Sequence, residues 1–183
     1  MPHDVYLIRH GAAAAAWSDA LDPGLSDEGR EHAREVARHF ADHPRCHVVS
    51  SPLARARETA LPLAEHWQMP ITIEQRVREI PSDVPMDERK AWLWKIMASR
   101  WPDVEPGLHA WRENAARAVR GFERDTLVFT HFMVINTLVA LATNDERLVC
   151  FEPDYGSVTQ FRCDTDALSL ASIGRARKTL VNL

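Results

Sequence analysis

The stretch Val5-Tyr6-Leu7-Ile8-Arg9-His10-Gly11 frames the reading of the whole chain. Four apolar, β-prone residues in a row, without a polar alternation, read as a short strand covered on both faces. That strand stops abruptly at an arginine, a histidine and a glycine. Downstream of an alanine-rich loop, Ser26 has the chemistry of an N-cap, with Asp27 and Glu28 in the first turn. Ala33, Val36, Ala37 and Phe40 then recur at helical spacing, which predicts an amphipathic helix to about Asp42. Val48-Val49 predicts a second strand. Ser51 as cap and Pro52 at the first helical position open a second helix, with a kink or a lost hydrogen bond at Pro62. Ile71-Thr72-Ile73 reads as a third strand.

Between residues 81 and 106 the pattern becomes irregular, with Pro81, Pro85, Pro102 and Pro106 around Trp92, Trp94 and Trp101. This predicts a helical, Trp-rich insertion carrying a helix from about Met86 to Arg100. A helix near 108–122, the strand Thr126–Thr130, a helix over about 133–142, and two closing strands at 157–161 and 167–173 complete the chain. Strands alternating with helices imply right-handed crossovers. The expected fold is α/β: a three-layer α/β/α sandwich with a mostly parallel sheet, in one domain over 1–183.

Composition bounds the function. With 183 residues, 45% hydrophobic and 26% charged, the chain has the size and balance of one folded, water-soluble domain. A formal net charge of -4 supplies no global positive field for nucleic acid or an anionic membrane, so neither is an expected partner. No run approaches the roughly 18 apolar residues of a bilayer span, and the N-terminus does not resemble a signal peptide. Cys46, Cys150 and Cys163 are odd in number and lack C-x-x-C spacing. Free thiols in the cytoplasm are expected, with neither a disulfide framework nor a thiolate metal site.

In open α/β sheets, ligands sit beyond the carboxyl ends of the strands. Here three such ends offer basic groups: Arg9 and His10 after the first strand, Arg55 in the turn after the second, and His131 after Thr126–Thr130. Cations with helix N-termini behind them make a phosphate site. Two imidazoles suggest catalysis as well, because a neutral histidine is a competent nucleophile toward phosphorus and nearby arginines keep its pKa low. With 19 of the 22 cationic residues being arginine, and nine histidines in all, position rather than residue type carries this inference. Arg57, two residues from Arg55, would point elsewhere on the helix.

Ile8-Arg9-His10-Gly11, Leu25-Ser26-x-x-Gly29-x-x-x-Ala33, SSPLARARETA at 50–60, Glu79 and Phe129-Thr130-His131 occur in order along most of the chain. Together they resemble the histidine phosphatase superfamily, also called the phosphoglycerate mutase-like family. The resemblance implies that His10 takes up the phosphoryl group as a covalent phosphohistidine, with Arg9, Arg55 and His131 completing the phosphate pocket. It also implies that Glu79 protonates the leaving group and then activates water; Glu74 is the alternative acid. The implied activity is a metal-independent, cofactor-free phosphomonoesterase acting on a small phosphorylated substrate.

Two departures from the family pattern keep other readings open. Ala12 to Ala16 and then Trp17 stand where phosphoglycerate mutases carry polar residues and an asparagine, which speaks against a mutase. Phe132 follows the second histidine where glycine is usual, which leaves a non-catalytic phospho-ligand-binding domain as a further alternative. Glu79 separates the chain from the small bacterial phosphohistidine phosphatases. His32, His39 and His43 share part of a helix face, but no carboxylate or thiolate completes a metal set, and a solvated face is expected. The tryptophans would form a substrate wall, a satellite core or the face of a homodimer.

Overall fold

A computed structural model of the chain describes residues 2–16, 20–164 and 167–176. Trp17 and the last seven residues of the chain lie outside that set. The strands are β1 (His3–Arg9), β2 (His47–Ser50), β3 (Thr72–Ile73), β4 (Thr126–Thr130), β5 (Val158–Asp164) and β6 (Ala167–Ser172). The α-helices are α1 (Asp27–Phe40), α2 (Ala54–Trp67), α3 (Arg89–Met97), α4 (Pro106–Arg120) and α5 (Phe132–Thr143). They build one six-stranded sheet in the order β3-β2-β4-β1-β5-β6. The pairings β3-β2, β2-β4 and β4-β1 are parallel, and β5 runs against both of its neighbours. The sheet is therefore mostly parallel, as the alternation of strands and helices predicts.

The period of two along each strand distributes side chains to two cores. Val5, Leu7, Val49 and Val128 face α4 and α5 through Ala116, Val119, Ile135 and Leu138. Ile8, Val48, Leu127 and Phe129 face α1 and α2 through Val36, Phe40, Leu63 and Trp67. A third cluster lies off the sheet. There Trp101, buried, meets Ile96, Leu108, Phe132, Met133 and Leu148, with Trp92 and Trp111 packed against it. Trp94 is 52% exposed. Of the tryptophans read from the insertion, Trp101 is thus core and Trp94 faces solvent.

Local chemistry explains most element boundaries. Ser26 caps α1, its Oγ accepting from the Gly29 N–H at 3.0 Å. The expected cap of α2 is corrected: the helix starts at Ala54, after an extended Leu53, and Pro52 lies outside it. The donor left at that end, the Ala54 N–H, is satisfied instead by Asp22 Oδ1 at 2.8 Å, a residue far back in the chain. Pro62 sits inside α2, which continues through it to Trp67; the amide proton missing there removes one hydrogen bond without ending the helix. The helix expected over 86–100 is a 3-10 turn at Met86–Glu88 followed by α3, and α4 begins two residues earlier than expected, on Pro106.

Gly11 and Gly29 are required by close approach. A Cβ on Gly29 would lie 1.9 Å from the Ala12 carbonyl oxygen, and one on Gly11 would lie 2.4 Å from the Gly29 carbonyl oxygen. Both obstacles are backbone, so neither can yield without moving the loop that follows His10. Gly29→Ala is expected to destabilise the chain by on the order of 3 kcal/mol, roughly 6–12 °C in melting temperature. Gly107→Ala, where nothing lies within 4 Å, is the control. An unchanged thermal melt for Gly29→Ala would refute the packing account.

Candidate active site

Strand register brings the two predicted histidines together. Arg9 on β1 pairs with Thr130 on β4, and the ladder runs one step further, the His10 N–H donating to the Thr130 carbonyl at 3.0 Å. On the other side of β4, the Ser51 N–H donates to the Phe129 carbonyl at 2.9 Å. Three adjacent strands therefore end level, presenting His10, His131 and Ser51. The rings of His10 and His131 lie 5.2 Å apart, centroid to centroid.

His10 is held at both nitrogens. Its Nδ1 lies 2.7 Å from the Gly11 carbonyl oxygen, and Arg55 Nε lies 3.2 Å from its Nε2. A carbonyl only accepts and a guanidinium only donates, so the proton resides on Nδ1 and the Nε2 lone pair is directed at Arg55. Burial, and then the charges of Arg55 and Arg9, hold this imidazole well below the usual histidine range. The result is a neutral ring whose Nε2 lone pair accepts from Arg55.

Arg55 comes from the first turn of α2. Its backbone carbonyl accepts from the Thr59 hydroxyl at 2.6 Å, and that same Thr59 oxygen accepts from the Gly11 N–H at 3.0 Å. Helix and strand end are thereby tied together. Arg57 is exposed, as its helical offset predicts. Arg9 donates from Nη1 to the Pro153 carbonyl at 2.7 Å, and its guanidinium lies 4.2 Å from the Tyr155 ring centre and 5.2 Å from that of Phe132. Among the described residues, Arg9 and Arg55 are the only buried arginines. Arg55 Nη1 and His131 Nδ1 are both buried without a hydrogen-bond partner. Polar atoms left this way in a folded interior mark a place where a ligand's acceptors would be welcome.

The two candidate acids part company here. Glu74 caps a 3-10 turn, Gln75–Val77, and is clasped by Arg76 at 2.9 and 2.7 Å; those bonds lower its pKa. Glu79 lies with Arg55 and Arg9, its Oε1 accepting from the Ile80 N–H at 2.9 Å, and the Met133 N–H at the start of α5 helps to lower its pKa. Burial pushes the Glu79 carboxyl up, and those hydrogen bonds and the two arginine charges only partly offset it. Glu79 is the carboxyl at the pocket.

Several neighbours had no signal in the sequence. Tyr155 stacks with His32, centroids 5.6 Å apart, and covers Arg9. His32 accepts from the Ala12 N–H at 3.3 Å, so it supports the loop after His10 and does not belong to the solvated face expected for it. Among the described residues, no group of three or more His, Cys, Asp and Glu side chains is placed to hold a metal ion.

A profile of the histidine phosphatase superfamily, branch 1, matches residues 5–175. The chain belongs to this superfamily. A glucosyl-3-phosphoglycerate phosphatase from Mycolicibacterium vanbaalenii is 33% identical over 123 residues, covering 64% of this chain and 51% of the relative. A probable phosphoglycerate mutase GpmB from Erwinia tasmaniensis is 32% identical over 90 residues, covering 47% of this chain and 41% of its own length. The chain spans about half the length of the curated relatives it matches. Among solved structures, a putative alpha-ribazole-5'-P phosphatase from Escherichia coli superposes with a TM-score of 0.74 at 20% identity, over 94% of this chain and 96% of that one. A phosphoglycerate mutase from Bacillus anthracis gives 0.68 at 15% identity, over 94% and 92%. At such identities the likeness concerns the fold, which is that of this histidine phosphatase superfamily.

Proposed function

We propose that this member of the superfamily is a phosphomonoesterase of small phosphorylated substrates, working through a covalent phosphohistidine at His10. The observation that carries the reading is the His10 tautomer: Nδ1 bound to the Gly11 carbonyl leaves Nε2 as the nucleophile. In the first step Nε2 attacks phosphorus in line, the ester P–O bond breaks, and protonated Glu79 gives its proton to the leaving oxygen. Arg55 exchanges its bond to Nε2 for one to a phosphoryl oxygen, and with Arg9 it balances the charge of the equatorial oxygens. In the second step Glu79, now a carboxylate, removes a proton from water. The resulting oxygen bonds to phosphorus, the N–P bond breaks, and phosphate and free His10 are restored.

The guanidiniums fill the charge-stabilising role that a divalent cation fills in other phosphatases, so no metal is required. Activity on p-nitrophenyl phosphate is expected to survive EDTA within about twofold, a change below the 1.4 kcal/mol that marks a tenfold effect. Loss of all activity to EDTA, or no hydrolysis of this ester or of a panel of small phosphomonoesters, would overturn the reading. We place the enzyme in the cytoplasm, supported by three free cysteines whose thiols burial pushes up to about 11. Among the described residues no helix is long and apolar enough to cross a membrane.

A phosphomutase is the second reading, favoured by relatives described as probable phosphoglycerate mutases. Return of the phosphoryl group from His10 to a second hydroxyl would replace its transfer to water. Ala12 to Ala16 carry no polar side chain where the loop leaves the pocket, which favours the phosphatase. Isomerised phosphoglycerate in place of inorganic phosphate would favour the mutase.

A further inference from the structure

The two imidazoles of the pocket have partners of different hydrogen-bonding character. His10 gives its Nδ1 proton to a carbonyl, whereas His131 has its Nε2 2.7 Å from the Ser51 hydroxyl, a group that can donate or accept. Which of these Ser51 does decides where His131 carries its proton. Ser51 is wholly buried, and its oxygen already accepts from the Leu53 N–H at 3.3 Å. Among the described residues, His131 Nε2 is the acceptor that hydroxyl has.

Suppose instead that Nε2 bore the proton. The Ser51 oxygen would then face two donors, and its own proton would be buried with no acceptor, an arrangement folded interiors avoid. With the hydroxyl donating to Nε2, the Ser51 hydroxyl and His131 Nε2 are both satisfied, and the His131 Nδ1–H is left over. That nitrogen is buried, has no partner, and belongs to a ring 5.2 Å from the His10 ring.

We propose that Ser51 is a positioning residue: it fixes the Nδ1–H tautomer of His131 and so makes that nitrogen a hydrogen-bond donor to the phosphoryl group held at His10. The phosphoryl ligand rests on the function proposed above, while the tautomer stands on contacts within the protein. Burial first, and then the charges of Arg55 from α2, Arg9 from the end of β1 and Arg78 from the turn before Glu79, together with the neighbouring His10, oppose protonation of His131. A neutral ring has one proton to place. A second proton is not available to make the choice irrelevant, and a hydroxyl donor on Nε2 settles it.

The test uses the whole chain labelled with ¹⁵N-histidine, with His131→Gln assigning the signals. In the wild type the His131 Nδ1 resonance is expected to be of the protonated type and Nε2 of the unprotonated type at neutral pH. Ser51→Ala is expected to move the proton to Nε2 or to average the two. Ser51→Thr, which keeps the hydroxyl, should retain the wild-type pattern. Titrated with inorganic phosphate, Ser51→Ala is expected to bind about tenfold more weakly, the lower range for a bond to a charged acceptor. KM for p-nitrophenyl phosphate should rise by a like factor, with kcat less affected. A wild-type proton on Nε2, or an unchanged tautomer and phosphate affinity in Ser51→Ala, would overturn the proposal. So would displacement of the His10 resonances along with those of His131, which would make Ser51 a structural support alone. A wild type that binds phosphate with the expected tautomer but hydrolyses no ester would instead count against the phosphatase reading.

Discussion

His10→Ala is expected to lower turnover of p-nitrophenyl phosphate by about 10⁴-fold or more, the scale seen when a covalent nucleophile is removed. The wild type should meanwhile yield an acid-labile phosphoprotein that the variant does not. His10 lies beyond the end of β1, outside the three apolar clusters, so its truncation should leave the thermal melt nearly unchanged. Loss of activity can then be assigned to chemistry. Phosphate affinity provides a second check: Arg55 loses a hydrogen-bond acceptor in the variant and becomes freer to bind the anion. Full activity without His10 would dispose of the phosphohistidine mechanism, whatever the fold.

Glu79→Gln comes next in size. General acid catalysis by one positioned side chain contributes about 10²–10⁴-fold, and the loss should depend on the leaving group. p-Nitrophenolate departs readily without a proton, so its ester should show the smaller deficit and an alkyl phosphate the larger. The pH dependence has a definite sign. Burial raises the pKa of Glu79, so the acid form persists to higher pH than in an ordinary carboxyl, and kcat/KM for an alkyl phosphate falls as pH rises through that value. Glutamine cannot titrate, so this limb should vanish in the variant. Glu74→Gln should keep the limb, since Glu74 is engaged with Arg76 and ionised well below neutral pH. A limb lost in Glu74→Gln and kept in Glu79→Gln would reverse the assignment of the acid.

The strand ends were legible in the sequence because apolar runs stop there at polar residues, as Ile8 does before Arg9-His10 and Phe129-Thr130 before His131. Arg55 was legible from its place just after a strand and from the 50–60 stretch. Choosing between Glu74 and Glu79 is beyond the residues themselves: both sit in irregular backbone, and only the folded chain shows Arg76 clasping one and the charges of Arg55 and Arg9 beside the other. Ser51 reads as a helix cap because Ser-Pro before a helical period usually is one. Its hydroxyl faces His131 because β2 and β4 are neighbours, a fact of sheet order that no local pattern contains. Tyr155 and Asp22 carry no sequence signal for the same reason. Each lies in a loop, where neither period two nor period 3.6 applies, and each acts on a residue distant in the chain.

The level ending of β1, β2 and β4 has a further meaning for how the molecule acquires its activity. β4 joins β1 across most of the chain, so the pairing of Arg9 with Thr130 closes a very long loop, the kind of non-local contact that forms slowly and cooperatively. Until that closure is complete, His10 and His131 have no common pocket, however much helix the chain has already formed. Regain of catalysis during refolding therefore clocks the docking of the two central strands, and it should lag behind the recovery of helical signal.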